Sequence, residues 1–241
     1  MPLKMTARLT KHTMRAGKFA LGACLFAPLA AAPAHAELVV SQLIVDFKPG
    51  AARTADIEVF NNGEERAYAV VEPREILNPG TQGEKRVETP DPSKLGLLAS
   101  PARFILEPRQ RRTLRIAAIG AAGTYERVYR VTIKPVAGDV SGRESGLKLL
   151  VGYDLLVLVR PSVVRDSVRA TRNGSELIVT NEGNASVELA EGKQCDAGGK
   201  SCQELPAKRL YAGASWKQDL SRPYSGGYRV RSAHGWSTLK F

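Results

Sequence analysis

Little in this chain equips it for catalysis. Its 241 residues include only three histidines, three cysteines and two tryptophans, and aromatics make up 6% of the total. Even these counts overstate what a processed protein would keep. Lys4, Arg8, Lys11, Arg15 and Lys18 precede a mostly apolar run from Phe19 to Ala32, and Ala34-His35-Ala36 follows as a small-x-small cleavage site, the layout of an export leader. Cleavage after residue 36 starts the mature chain at Glu37 and removes His12, His35 and Cys24, so His234 is the only histidine left. No G-x-S-x-G elbow and no His/Asp/Glu cluster with metal-ligand spacing is present, which excludes the common hydrolase and metal-site patterns. Long apolar runs are missing too. The leader's own run is broken by Pro28, and nothing downstream approaches the ~20 residues a membrane span needs. Leu21-Gly22-Ala23-Cys24 has the outline of a lipoprotein cleavage box, but too few apolar residues precede Cys24 to form its hydrophobic region.

Acidic residues are absent from the leader, which distorts the overall charge. Five of the 35 basic residues lie there, so the mature balance is 30 basic against 24 acidic rather than the formal +11 of the whole chain. The remaining excess suits an anionic partner or plain solubility, and export argues against nucleic acid as the target. Cys195 and Cys202, with six residues between them, are an even pair in an exported chain and read as a disulfide. Closing so short a loop stabilises by roughly 2–3 kcal/mol on the chain-entropy account. A zinc or redox pair would need more ligands or a C-x-x-C spacing.

The positive signal is β structure. Removing the leader leaves 205 residues, enough for two domains of about 100 each. Short β-rich runs separated by turn residues recur about every ten positions, and no helical period is sustained. Seven runs are predicted before Pro161: Leu38–Val45, Thr54–Asn61, Arg66–Leu77, Phe104–Leu106, Arg112–Ala117, Tyr125–Pro135 and Leu147–Val159. They suffice for one immunoglobulin-like sandwich over residues 37–161. A second series over residues 162–241 runs from Ser167–Thr171 to Ser237–Phe241, with Asn173-Gly174 as a type I′ hairpin signal. The junction Arg160–Arg165 holds one proline and no Gly/Ser linker, which implies two sandwiches at a fixed angle with a cleft between them. No internal repeat is evident beyond this duplication of strand count.

The run Leu147–Val159 is richer in apolar residues than a half-buried strand requires. Leu147, Leu149, Val151, Tyr153, Leu155, Val157 and Val159 share one face, and Leu150, Leu156 and Leu158 enrich the other. From Leu155 onward both faces are apolar, as inside a sandwich. The N-terminal half has Lys148, Gly152 and Asp154 opposite large aliphatics, and it follows the polar loop Gly138–Gly146. That pattern fits an edge strand offered to a partner; an ordinary core strand is the competing reading of the same alternation.

Ser100-Pro101-Ala102-Arg103-Phe104-Ile105-Leu106-Glu107-Pro108, running on through Arg112-Thr113-Leu114-Arg115-Ile116, resembles the P-x-x-x-x-L-x-P segment of the periplasmic chaperones of the chaperone–usher pilus pathway. Tyr125–Val131, the long strand, Arg160-Pro161 and Val179–Asn184 agree with that family in order, so the resemblance covers nearly the whole mature chain. Ile76, Asn78-Pro79-Gly80 and Val128–Val131 look most like the branch serving colonisation-factor fimbriae.

The resemblance implies a boomerang of two immunoglobulin-like domains in the periplasm, without enzymatic activity, cofactor or metal. Such a protein binds fimbrial subunits that lack their last strand, lends them its own strand, and passes them to an outer-membrane usher. Carried onto this chain, Leu147, Leu149 and Val151 fill the subunit's pockets, with Tyr153 as a fourth. The exposed row also allows self-association of the free protein. Arg115 and Glu126 correspond to a charge pair within the first domain, and Arg160 to the arginine of an inter-domain ionic cluster. The cluster's acid is due near Ala233-His234, where there is no carboxylate. Two basic residues that hold the subunit's C-terminal carboxylate in the family fall at Ile44 and Leu156, neither of them basic, so Arg130 on the neighbouring strand is the candidate replacement. The rival reading is a secreted two-domain adhesin or a fimbrial component. A subunit needs an extended donor segment before its first strand, whereas Leu38-Val39-Val40 is strand-like almost at the cleavage site.

Overall fold

The computed structural model describes residues 38–136, 150–221 and 224–241. The leader lies outside the described residues, and so do Leu147 and Leu149. The first sandwich is built from β1 (Leu38–Val40), β2 (Ile44–Phe47), β3 (Thr54–Asn61), β4 (Ala67–Leu77), β5 (Lys85–Val87), a single helical turn α1 (Pro92–Leu95), β6 (Leu97–Ser100), β7 (Arg103–Leu106), β8 (Arg111–Ala118), β9 (Arg127–Val136) and β10 (Tyr153–Val159). One sheet runs β1-β3-β8-β6, and the other runs β2-β10-β9-β4-β5 with β7 also on β4. Ile57 and Val59 of β3, Leu114 and Ile116 of β8, Val131 and Ile133 of β9, and Leu155 and Val157 of β10 are all buried between the sheets. Alternation at period 2 is what aims these side chains inward, leaving Asp56, Glu58 and Arg115 outside.

The second sandwich comprises β11 (Val168–Asn173), β12 (Glu176–Asn181), β13 (Val187–Cys195), β14 (Cys202–Leu205), β15 (Lys208–Leu210), β16 (Ser215–Asp219), β17 (Gly226–Ser232) and β18 (Gly235–Lys240). Its sheets are β11-β12-β16 and β14-β13-β17-β18, with β15 on β13. The core is smaller, and Tyr228 dominates it. Gly192 is required there, because a Cβ would lie 2.2 Å from the Tyr228 ring. Cys195 and Cys202 are register partners across β13 and β14 and are joined as a disulfide, as their spacing predicts.

The all-β, two-sandwich expectation holds, with local differences. The predicted strand Leu38–Val45 is two strands in different sheets: β1 pairs antiparallel with β3, and β2 pairs parallel with β10. The break falls at Ser41-Gln42-Leu43, where the chain crosses from one sheet to the other. The hairpin after β11 turns on Gly174-Ser175, one residue later than expected, with Gly174 supplying a φ of 60°. β5 and β6 escaped the sequence reading because Lys85-Arg86-Val87 has no apolar alternation and Leu97–Ser100 abuts a helical turn.

The two sandwiches share a device that strand counting does not reveal. Asn61 ends β3, and its Nδ2 donates to the carbonyls of Glu65 at 2.7 Å and Leu106 at 3.1 Å while its Oδ1 accepts from Gly63 N at 3.0 Å. Asn181 ends β12 and repeats the pattern: Nδ2 donates to Ala185 O and Leu210 O, both at 2.9 Å, and Oδ1 accepts from Gly183 N at 3.0 Å. An Asn-x-Gly at the same place in each sandwich is therefore an internal repeat. Both side chains are fully buried, so truncation strands two carbonyls and an N–H away from water. Asn181→Ala is expected to cost about 2–4 kcal/mol in urea denaturation; a loss below ~1 kcal/mol would show that the loop re-pairs by itself.

Candidate functional site

The outer face of the β2-β10-β9-β4 sheet brings the sequence-derived positions together. Leu156 is directly opposite Ile44 on one side and Arg130 on the other, and Arg130 is opposite Arg74, so one row crosses four strands. The two positions at which the resemblance placed the family's basic residues are thus true neighbours. Leu156 is nevertheless buried, in a cluster with Ile76, Val128 and Leu158 capped by Tyr211 of the second sandwich. From Leu156 onward the even-numbered face of β10 is apolar because it meets the other domain, and the odd-numbered face is apolar because it lines its own core. Gly80 completes the contact: its φ is 73°, and a Cβ there would lie 2.9 Å from the Tyr211 ring. Burial of that ring pushes the Tyr211 hydroxyl above the ordinary tyrosine range, against the pull of Arg130 and Arg209.

Arg130 is half-buried beside this cluster. Its Nη1 donates to the Asp154 carbonyl at 3.3 Å, and its Nε lies 3.8 Å from the Asp154 carboxylate. Asp154 is held more firmly by Arg86 at 2.8 Å and by the Thr132 hydroxyl at 2.8 Å. Among the described residues, Asp154 is thus the only polar partner of Arg130, which leaves donors for another carboxylate.

The strand edge is the second element of the site. β2 joins β10 only from Leu156 onward, through Leu156 N to Leu43 O at 2.9 Å, so Tyr153–Leu155 has β9 on one side and, among the described residues, no strand on the other. Leu150 and Val151 precede β10 outside the ladder, and Val151 is 54% exposed. Gly152 lets the backbone pass close to β9, since a Cβ would lie 2.9 Å from the Ile133 carbonyl oxygen. Tyr153 corrects the expectation. Its ring packs on the first core and its hydroxyl donates to Leu38 O at 2.8 Å, so it is anchored in its own sandwich rather than offered to a partner. Leu147 and Leu149 lie outside the described residues.

An ionic node at the junction is the third element, and it differs from the expected pairing. Arg115 pairs with Asp56 on the far sheet, two bonds of 2.7 Å at an exposed site, and does not reach Glu126. Such an exposed pair contributes little to stability. Glu126 pairs instead with Arg160 at 2.6 Å, and their side chains are only 1% and 4% exposed. Arg160 also binds Asp46 through Nε at 2.7 Å and Nη2 at 3.0 Å, and it donates to the Ser186 carbonyl at 2.7 Å. The cluster's carboxylates thus come from β2 and from Glu126, just before β9, while the second sandwich contributes Ser186. The missing acid near Ala233-His234 is no loss. His234 instead meets Asp166 of the junction at 2.8 Å. Asn184 adds further ties, donating to Thr124 O and Val163 O at 2.8 Å each and accepting from Arg165 N at 2.7 Å. Burial pushes the Glu126 carboxyl upward, opposed by Arg160 and by the Ser186 donors. Asp46 and Asn184 were beyond sequence reasoning, since each works through partners far away in the chain.

Two immunoglobulin-like sandwiches joined by a buried arginine node, with the Tyr153–Leu155 edge of β10 unpaired among the described residues, have a fold seen in fimbrial chaperones. No family model matches the chain. The class 5 fimbriae chaperone CfaA has the same fold, with a TM-score of 0.63 and 21% identity over 84% of this chain and 98% of that one. So does the structure of the Salmonella enterica SafA pilin in complex with the SafB chaperone, with a TM-score of 0.59 and 18% identity over 87% of this chain and 98% of that one. Among curated proteins, a CS1 fimbrial subunit of Escherichia coli is 26% identical over 194 residues, which is 76% of this chain and 80% of that protein.

Proposed function

We propose that this protein is a periplasmic chaperone that stabilises fimbrial subunits by lending them a strand and delivers them to an outer-membrane usher. The observation that carries this reading is the open edge of β10 at Tyr153–Leu155, continued by the exposed Val151. A subunit missing its last strand gains main-chain hydrogen bonds along this edge and side chains for its pockets. Leu147, Leu149 and Val151 are the proposed pocket fillers. Burying three such residues supplies roughly 5–9 kcal/mol before ordering costs. Residues 1–36 are proposed as the export leader, and the mature chain as two domains meeting near Pro161. Among the described residues, no helix is long and apolar enough to cross a membrane.

The name of the curated relative favours a second reading, a fimbrial component. Against it, β2 and β10 fill the first sandwich and β17 and β18 the second from the chain's own strands, so neither is left short of one. Co-expression with a subunit encoded beside an usher discriminates between the two. A soluble one-to-one complex in the periplasm is expected; free protein with the subunit degraded would overturn the proposal. Arg130 is the proposed anchor for the subunit's terminal carboxylate, because it is adjacent to Leu156 and only loosely engaged by Asp154. A charge-assisted bond of this kind is worth about 1.5–3 kcal/mol, so Arg130→Ala should weaken capture roughly tenfold to a hundredfold. A subunit ending in a C-terminal amide should lose the same factor and show no further loss with Arg130→Ala.

A further inference from the structure

In the β14-β13-β17-β18 sheet of the second sandwich, β18 is an edge strand among the described residues, and its hairpin with β17 has an unusual surface. From Gly226 to Phe241 the chain contains no aspartate or glutamate, but it contains Arg229, Arg231, His234 and Lys240. Trp236 is 49% exposed on β18. Arg229 lies 4.4 Å from its ring centroid and Arg231 lies 5.9 Å away, so the indole is within cation–π reach of two guanidinium groups. Of the nearby acids one is committed elsewhere, one pairs with the hairpin's own His234 and one holds weakly. Glu188 pairs with Arg209 at 3.0 Å and Asp166 with His234 at 2.8 Å, while Glu191 reaches Arg229 only at 3.2 Å in an exposed pair.

The backbone of β18 points the same way. Gly226 and Phe241 exchange two hydrogen bonds of 3.0 Å, which fixes the alternation along the hairpin. The main-chain groups of Ser237 and Leu239 therefore face β17, and those of Trp236, Thr238 and Lys240 face the open side. Among the described residues, β18 pairs with β17 alone. Beneath this edge, at the seam with β11, Val168, Val187, Val230 and Leu239 form the apolar side of a small hollow whose other side is polar, with Asp166 and Ser237 among its residues. A strand added here would present one set of side chains to the arginines and tryptophan, and the alternate set to that hollow.

We propose that the β18 edge, with the Arg229–Trp236–Arg231 face, docks an extended segment of a protein partner that alternates acidic and small apolar residues. The inference does not depend on the strand-lending role of β10, which is on the other domain. The test is titration of the full exported protein, labelled with nitrogen-15, with a capped peptide alternating Glu and Val and with its Lys/Val counterpart. The acidic peptide is expected to give saturable shifts of the Trp236 indole and of the Trp236, Thr238 and Lys240 amides, with at least tenfold weaker binding of the basic peptide. Arg231→Glu combined with Lys240→Glu should weaken binding at least tenfold. Thr238→Pro removes an outward N–H and should abolish binding without disturbing the β17 ladder. If that variant does not fold, the charge pair decides. Equal binding of both peptides, no binding of either, unchanged affinity in the variants, or the same shifts produced only by a soluble anionic oligosaccharide would each overturn the proposal.

Discussion

Leu149→Glu combined with Val151→Glu is expected to abolish the complex with a fimbrial subunit, a loss of more than a thousandfold, while leaving the protein's own unfolding transition in place. The size follows from replacing two aliphatic side chains, each contributing ~1.5–3 kcal/mol on burial, by carboxylates that an apolar pocket cannot solvate. The sparing of the free fold follows from position: Val151 is exposed and precedes the β10 ladder. Leu155 is the control. It lies four residues further along with the same parity, but it is fully buried between the sheets. Leu155→Glu should therefore unfold the first sandwich, as read by loss of the cooperative transition in circular dichroism. If both replacements behave alike, the boundary between lent strand and core strand is not at Tyr153.

Arg160→Met is expected to cost about 3–5 kcal/mol, because it leaves the Glu126 carboxylate buried without its counter-charge. The deficit should depend on pH in a definite sense. Burial already pushes Glu126 above its ordinary value, and Arg160 opposes that shift, so the variant's folded-state pKa rises further. A carboxyl raised in the folded state binds its proton more tightly there than in the unfolded chain. Stability is thus fully retained below the unfolded carboxyl range and is lost as pH rises through the raised folded value. Denaturation of Arg160→Met should show a small deficit at acid pH that grows toward neutrality. Adding Glu126→Gln should flatten that growth, because the amide cannot ionise. A deficit of the same size at every pH would mean that the arginine acts through Asp46 and Ser186 rather than through Glu126.

Much of this architecture is legible in the residue order because its causes are local. Alternation at period 2 is enough to place Ile57, Val59, Leu114, Ile116, Leu155 and Val157 in one core. Two cysteines flanking Asp196–Ser201 can close a hairpin with no information from elsewhere in the chain. Arg160, just before Pro161 at the change from one strand series to the next, is legible as a junction residue, and it is buried there. Ile44 and Leu156 were brought to one site by the family resemblance rather than by residue order, and they are register partners across β2 and β10.

Partner choice was not legible, since it is set by sheet order across long stretches of sequence. Arg115 and Glu126 are close in sequence and opposite in charge, but Arg115 is on the β1-β3-β8-β6 sheet facing Asp56, while Glu126 is at the junction facing Arg160. Asp46 could not be tied to Arg160 until the chain crossed sheets after β1 and laid β2 parallel to β10. Tyr153 has the alternation of a lent residue, and it is the packing of its ring against the first core and the Leu38 carbonyl within reach of its hydroxyl that hold it in its own sandwich. The apolar even-numbered face of β10 likewise acquired its reason from Tyr211 and Gly80, one from each sandwich. By itself the sequence determined that this is a pair of β-sandwiches behind a leader-like segment, with one over-apolar strand, because period, turn residues and leader composition act over a few neighbours at a time. The tertiary structure alone decided which charges meet, which face of β10 meets the second domain and where the open edge begins, because those follow from contacts between residues distant in the chain, such as Arg115–Asp56, Arg160–Asp46 and Tyr153–Leu38, which are 59, 114 and 115 positions apart.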